Sequence, residues 1–281
     1  MLSMLQLAPH DEGSCWIPDV LRNATVLAHW GYKGRNNVSF TSYAADIFDI
    51  DYKDKIFQPK GFRNLMGDHP CIDPKKDLVI PALFPSNKYT KSPYFNEKYM
   101  GNRTILGCHK GRLLKQLPKY SRGTRQKLAK LCEDEHWWDK HRIYIGEEVP
   151  MELESLSYSE ILSTTVFCMV LMGEGFVTRF EDAILHGCIP VIIMDDVIVS
   201  FETILDVDAF SFRVPVKDMA KLPEILKSVP KDKIAAMQGN LAKVWNRFVY
   251  NFGNQYSDLG PDLTDDAFAT IMQWLYSRID A

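Results

Sequence analysis

The chain has 281 residues, 46% of them hydrophobic and 25% charged, with a formal net charge of −3. That length suits one large domain or two modest ones, with ample material for a buried core, and the slight negative balance argues against bulk nucleic-acid binding or attraction to an anionic membrane surface. No stretch approaches the roughly 20 apolar residues of a membrane span, and the opening MLSMLQLAPHDEG lacks the basic region and sustained apolar core of a secretory signal.

Residues 1 to about 100 are rich in Pro, Gly, Asn and Asp, with short apolar runs such as ATVLAHWG and KDLVIPALFP. They read as brief strands joined by long loops, a first lobe that is small or incomplete. The grammar changes at Arg103. RTILGC predicts a buried strand that runs into an HKG loop. SRGTRQKLAKLCEDE carries helical spacing, with Leu128, Leu131 and Cys132 on one face. HRIYIGE predicts a strand, and SYSEIL opens a helix with Ser157 and Glu160 at capping-box spacing. TTVFCMVLM is apolar and β-branched enough for a central parallel strand. The segment GEGFVTRFEDAILHG then predicts turn and helix, and CIPVIIM a further strand. Strands alternating with helices imply a doubly wound parallel sheet. In the tail, LPEILKSV starts with Pro223 near a first-turn position. In KIAAMQGNLAKVWNRFVY, Ile234, Met237, Leu241, Val244, Trp245 and Phe248 form an apolar face, and DDAFATIMQWLYSRI predicts a last helix.

Six cysteines are scattered with no CxxC pair, which gives no zinc motif; their even number permits disulfides without demanding them. Sequons at Asn23, Asn37 and Asn102 tilt mildly towards a secretory-pathway lumen.

The chemistry concentrates after TTVFCMVLM. Ligands of open α/β sheets sit beyond the carboxyl ends of strands, and Gly173 and Gly175 occupy that position. Glycines let backbone N–H groups approach a phosphate, Thr178 starts the helix, and Arg179 adds a planar, permanently charged fork. An arginine at a helix N-terminus opposes the dipole unless an anion or acid offsets it, which favours a ligand there. Glu181 has two readings of equal weight: it accepts from a ribose diol, or it closes a capping box with Thr178. Gly187 reads as the C-terminal cap. Asp195 and Asp196, ending the next strand, are cleft acids or solvated loop residues.

The string YSEILSTTVFCMVLMGEGFVTRFEDAILHGCIPVIIMDDVIVSFETILDVDAFSFRV resembles the C-terminal signature of exostosin-like glycosyltransferases (glycosyltransferase family 47). That signature combines a Phe-Cys strand, a Gly turn, Ser/Thr-Arg, an acidic Glu-Ala helix and Gly-Cys-Ile-Pro-Val-Ile. HDEGSCW, LAHWG, HPCIDPKKDLVIP, LPKYSRGTRQKL and MQGNLAKVWNRFVY resemble further family segments in the family's order. The resemblance implies a GT-B fold, two Rossmann-like lobes with the active site between them. In these terms residues 1–100 form a partial acceptor-side lobe, 101–245 a complete nucleotide-sugar-binding lobe, and 246–281 a helix packing back on the body. It further implies inverting transfer from a nucleotide-diphosphate sugar to a glycan hydroxyl, with the donor as substrate and no cofactor or metal. Arg179 is then the diphosphate binder and Glu181 the nucleoside binder. Gly173, Gly175 and Thr178 complete the turn. Lys110 stands where the family commonly has Arg, followed by Gly111; lysine grips as a point charge, and a solvated surface lysine is the alternative reading.

The family's first lobe normally starts well before HDEG, with a signal anchor, so a truncated or degenerate member is expected, reaching a membrane only through a segment absent here. His29, Asp46, Asp68 and His69 are the candidates for the catalytic base, though spacing singles out none of them. His29, at the end of TVLA, ranks first with Asp46 next, and a satisfied structural histidine is the stronger reading of His29. Golgi residence follows from the resemblance alone. Two rivals stand beside this reading. One is a non-catalytic subunit that works with a partner glycosyltransferase. The other is a nucleotide-dependent oxidoreductase, disfavoured because the turn lacks a third glycine.

Overall fold

A computed structural model describes residues 4–9, 13–17, 19–34, 70–83, 86–95, 102–117, 120–173, 175–251 and 265–279. The architecture is mixed α/β, built on two parallel sheets. Strands β1 (Leu5–Ala8), β2 (Thr25–Ala28) and β4 (Leu78–Val79) form the first, in the order β1-β2-β4. The second is made of β5 (Ile105–Lys110), β6 (Ile143–Gly146), β7 (Thr165–Leu171), β8 (Ile189–Ile193) and β10 (Phe212–Arg213). Its order is β10-β8-β7-β5-β6, and all of its pairings are parallel, as the strand–helix alternation predicts.

The large sheet is ordered by hydrophobicity. β7 and β8 lie at its centre and are buried almost throughout, the continuous apolar character that a strand covered on both faces requires. Pro190, which cannot donate to a ladder, sits at the second residue of β8, before β10 begins to pair at Val191. Among the described residues six α-helices follow the predicted segments: α1 (Thr124–Asp134), α3 (Tyr158–Ser163), α4 (Arg179–Leu185), α5 (Leu222–Ser228), α6 (Lys231–Val244) and α7 (Ala267–Tyr276). A further helix, α2 (Trp137–His141), is not among the predicted segments and takes up His141, which the sequence reading places at the start of the next strand. The expected capping box at α3 is present: Ser157 Oγ accepts from the Glu160 N–H, and the Glu160 carboxylate accepts from the Ser157 N–H. Pro223 sits in the first turn of α5. Met237, Leu241 and Phe248 enter the main core, with Ile234, Val244 and Trp245 packed against it.

The two sheets are tied by a third element. β3 (Gly31–Tyr32) pairs antiparallel with β9 (Val197–Ile198), so the chain after β2 is hydrogen-bonded to the chain after β8. The Phe201 N–H donates to the Val79 carbonyl at 2.8 Å across the same seam. The main core therefore holds Leu27, Trp30, Leu78 and Ile80 together with the large-sheet residues. Two disulfides are present among the described residues. Cys15–Cys71 staples the first region, and Cys168–Cys188 joins β7 to the residue ahead of β8. Cys108 and Cys132 remain as buried thiols. Among the described residues no helix is long and apolar enough to cross a membrane.

The end of α4 is fixed by local chemistry. Gly187 has φ +61°, its N–H donates to the Ile184 carbonyl at 3.0 Å, and the Cys188 N–H donates to the Ala183 carbonyl at 3.0 Å. This is the two-bond Schellman closure that a left-handed residue permits. Arg103 donates to the His186 carbonyl at 2.8 Å, and a Cβ on Gly187 would stand 2.8 Å from that guanidinium. Gly187→Ala therefore adds both left-handed strain and a collision. It is expected to cost about 1–3 kcal/mol, read from the midpoint of denaturant unfolding.

Candidate functional site

The carboxyl ends of β5 and β7 open onto a cavity of about 660 Å³. Gly173, Gly175 and Thr178 line it from the turn after β7, with Arg179 at the first position of α4. The other wall carries Arg112, from the chain after β5, and Tyr120 and Arg125, from the entry into α1. Three arginines and no carboxylate line it among the described residues, so its field selects an anion.

The arginines are held differently. Arg125 is 8% exposed, and its guanidinium is consumed by the protein. Nε donates to Met172 O at 2.8 Å, Nη2 to Leu171 O at 3.1 Å, and Nη1 to Arg112 O at 3.0 Å and Tyr120 Oη at 2.9 Å. It clamps the strand-end loops together while keeping its charge. Arg112 stands exposed at the mouth. Arg179 is half-buried as a residue, with Nη2 donating to the Lys110 carbonyl and the guanidinium lying 4.8 Å from the Tyr158 ring centroid. Its Nε and Nη1 are shielded from solvent and have no hydrogen-bond partner among the described residues. Burial lowers the Arg179 pKa, and nearby Asp182 acts in the opposite direction. Buried donors with nothing to bind are rare in folded chains, and two on one permanently charged group mark a place for an acceptor.

Asp182 does not neutralise Arg179 by direct pairing. It is 1% exposed, forms an ion pair with Lys88 at 2.6 Å, and accepts from Tyr158 Oη at 2.8 Å and Thr178 Oγ1 at 3.2 Å. Beneath it His186 is fully buried, its Nδ1–H donating to the Asp182 carbonyl and its Nε2 2.7 Å from Ser159 Oγ. Burial pushes this imidazole down to about 4, so it is neutral near pH 7.

Of the two readings of Glu181, the capping box with Thr178 does not form: Thr178 makes no side-chain cap bond. Glu181 points inward instead, 4% exposed and outside the cavity lining, where Oε1 accepts from Ser200 Oγ at 2.5 Å. Burial, partly offset by that bond, pushes its pKa up to about 7. Lys110 contributes its carbonyl rather than its side chain to Arg179, and Gly111 packs under the same guanidinium. His29 is half-buried, and its ring lies 5.6 Å from that of Phe176, a cavity-lining residue. Its Nδ1–H donates to the Ile80 carbonyl at 3.1 Å, which leaves Nε2 as the basic nitrogen, and burial lowers its pKa. Asp195 and Asp196 are exposed; Asp195 accepts from the Val216 N–H, and the Asp196 carbonyl accepts from the Lys33 N–H. Asp46, Asp68, His69 and Asn37 lie outside the described residues, whereas Asn23 and Asn102 are exposed. Among the described residues no group of three or more His, Cys, Asp and Glu side chains is placed to hold a metal ion.

Arg125, Asp182 and His109 were not singled out by sequence reasoning. For Arg125 the signal was an arginine in a first helical turn, as for Arg179, and its turn, unlike that of Arg179, contains no acid. For Asp182 it was the acidic-Ala dipeptide that Asp182–Ala183 completes.

The raised Glu181 pKa has a consequence for stability. The folded state holds this proton to about pH 7, whereas an unfolded carboxyl releases it near its ordinary value of 4.5. The contribution is therefore present below pH 4.5 and is lost as pH rises from 4.5 to 7. Glu181→Gln is expected to stabilise the protein at about pH 8, by up to about 3 kcal/mol, and to leave it unchanged at about pH 4. Paired denaturant melts at the two pH values measure this.

Known proteins resemble this chain over most of its length. The Exostosin GT47 domain model matches residues 8–229. A probable glucuronosyltransferase of Oryza sativa subsp. japonica is 25% identical over 260 residues, covering 84% of this chain and 49% of the relative. Exostosin-1 of Drosophila melanogaster is 22% identical over 253 residues, covering 83% of this chain and 32% of the relative. A probable glycosyltransferase of Arabidopsis thaliana is 29% identical over 118 residues, covering 41% of this chain and 24% of the relative. The chain thus spans at most about half the length of these relatives. With most of its length under one family model and an arginine-lined cavity at the strand ends, the chain belongs to the exostosin GT47 family.

Proposed function

We propose that this chain is a glycosyltransferase whose cavity takes the diphosphate of a nucleotide-sugar donor and passes the sugar to a glycan hydroxyl with inversion. The observation that carries the reading is Arg179, a buried guanidinium with two unpartnered nitrogens on a cavity lined by cations and glycines. In the displacement, the acceptor oxygen bonds to the anomeric carbon as the bond to the diphosphate oxygen breaks. The leaving diphosphate keeps the electron pair, so positive charge already in place lowers the barrier. Arg179 supplies it with hydrogen-bond donors, and Arg112 and Arg125 supply it as field. α4 has only seven residues, so the guanidinium rather than a long helix dipole does this work. Gly173 and Gly175 have no side chains of their own to cover the phosphates.

His29 is the proposed base for the acceptor proton. Its tautomer leaves Nε2 free of a proton, its lowered pKa keeps it neutral near pH 7, and Phe176 brings it next to the donor turn. Two disulfides and exposed sequons at Asn23 and Asn102 support an oxidising secretory compartment, the Golgi lumen in this reading.

Titration calorimetry with a panel of nucleoside diphosphates tests the donor site. Arg179→Ala is expected to weaken binding about 10- to 100-fold, and Arg179→Lys to recover only part of it, since an ammonium lacks the planar fork. If the unmodified chain bound no nucleoside diphosphate or nucleotide sugar, the reading would fail. Steady-state kinetics test the base: His29→Gln is expected to lower kcat by about 100-fold or more with little change in donor KM.

A further inference from the structure

His109, in β5, is 1% exposed and takes no part in the roles assigned above. Its Nδ1 lies 2.9 Å from the Met169 carbonyl. A carbonyl only accepts, so Nδ1 carries the hydrogen and Nε2 carries a lone pair. That Nε2 is shielded from solvent and has no hydrogen-bond partner among the described residues. This unpartnered acceptor and two guanidinium groups meet at Gly111: a Cβ there would stand 3.1 Å from His109 Nε2, 3.3 Å from Arg179 Nη2, which donates to the Lys110 carbonyl, and 3.8 Å from Arg125 Nη1, which donates to Arg112 and Tyr120. The bare backbone of Gly111 is what lets the imidazole and the two guanidinium groups converge.

Resting on the anion-binding reading of the cavity, we propose that His109 is a positioning residue for Arg179. Its neutral imidazole offers a lone pair that orients the guanidinium without discharging it. A carboxylate in this place would also orient Arg179, but it would neutralise the charge the incoming anion needs. An apolar ring would fill the space and leave the Lys110 carbonyl and the Tyr158 face to hold the fork among the described residues. Burial, with Arg179 and Arg125 adding to it, holds the His109 pKa well below its ordinary value, so the imidazole does not join the two cations as a third near neutral pH.

The test is the affinity of the whole chain for inorganic pyrophosphate at about pH 7.5, with thermal melts as a control for folding. Pyrophosphate reports the anion subsite without a contribution from base or sugar. H109Q, which keeps a neutral acceptor near the Nε2 position, is expected to bind within about threefold of wild type. H109F is expected to lose about tenfold, and H109E more than about tenfold, although pairing of the introduced carboxylate with Arg179 would hold the melting temperature level or raise it. A merely structural histidine would not give affinity and stability that move apart in this way. The proposal is overturned if H109F binds as wild type does, or if H109Q and H109E bind equally, while Arg179→Ala has lost pyrophosphate. Should H109F fail to fold, the isosteric pair H109Q and H109E decides alone. If Arg179→Ala binds pyrophosphate as wild type does, it is the anion reading of the cavity that falls, a separate result.

Discussion

A guanidinium that cannot give up its proton, held largely out of water, sets the terms for everything around it. Arg179 receives one carbonyl from Lys110 and the face of Tyr158. Asp182, the acid beside it on α4, is committed to Lys88, Tyr158 and Thr178. The titratable groups close by are shifted towards neutrality: His109 downwards, Glu181 and Cys108 upwards. The surroundings thus tolerate the charge without cancelling it, and that uncancelled cation is the basis of the proposed anion site.

The scaffold explains how that charge is kept in register. β5 delivers the Lys110 carbonyl and His109, β7 delivers Met169 and the glycine turn, and these two strands are hydrogen-bonded neighbours inside a parallel sheet. Arg125 fixes the loops that leave them by donating to Arg112, Leu171 and Met172. The β3–β9 pair then sets the first sheet against this platform, bringing His29 beside Phe176. A core shared across the seam makes the relation between His29 and the cavity a property of packing rather than of a flexible joint.

What was legible in the sequence was whatever depends on neighbours along the chain. β7 and β8 announced themselves by unbroken apolar runs, the α3 box by Ser157 and Glu160, and the end of α4 by Gly187. Thr178 and Glu181 have the same spacing as Ser157 and Glu160, yet no box forms. Glu160 is on a solvated helix start, free to fold back, whereas Glu181 sits among Phe180, Ala183 and Ile184 on the buried face of α4, where Ser200 claims it. Spacing encodes reach but not which face is covered. The same limit hid His109, whose importance comes from Arg179 and Arg125, both distant from it along the chain. The cysteine pairing was equally non-local: six residues admitted many arrangements, and the fold selects two bridges.

The bridge between Cys168 and Cys188 closes a ring around the whole of the glycine turn, Arg179 and α4. The segment that carries Arg179 is therefore a covalent macrocycle, not simply a loop between two strands. A bridge of this span removes about 3 kcal/mol of chain disorder from the unfolded state, and here that restraint falls entirely on the segment proposed to bind the donor. The geometry around Arg179 is thus completed by an oxidation carried out after synthesis. A chain made and kept under reducing conditions would have the right residues in an open ring, so the history of its thiols becomes part of what specifies the site.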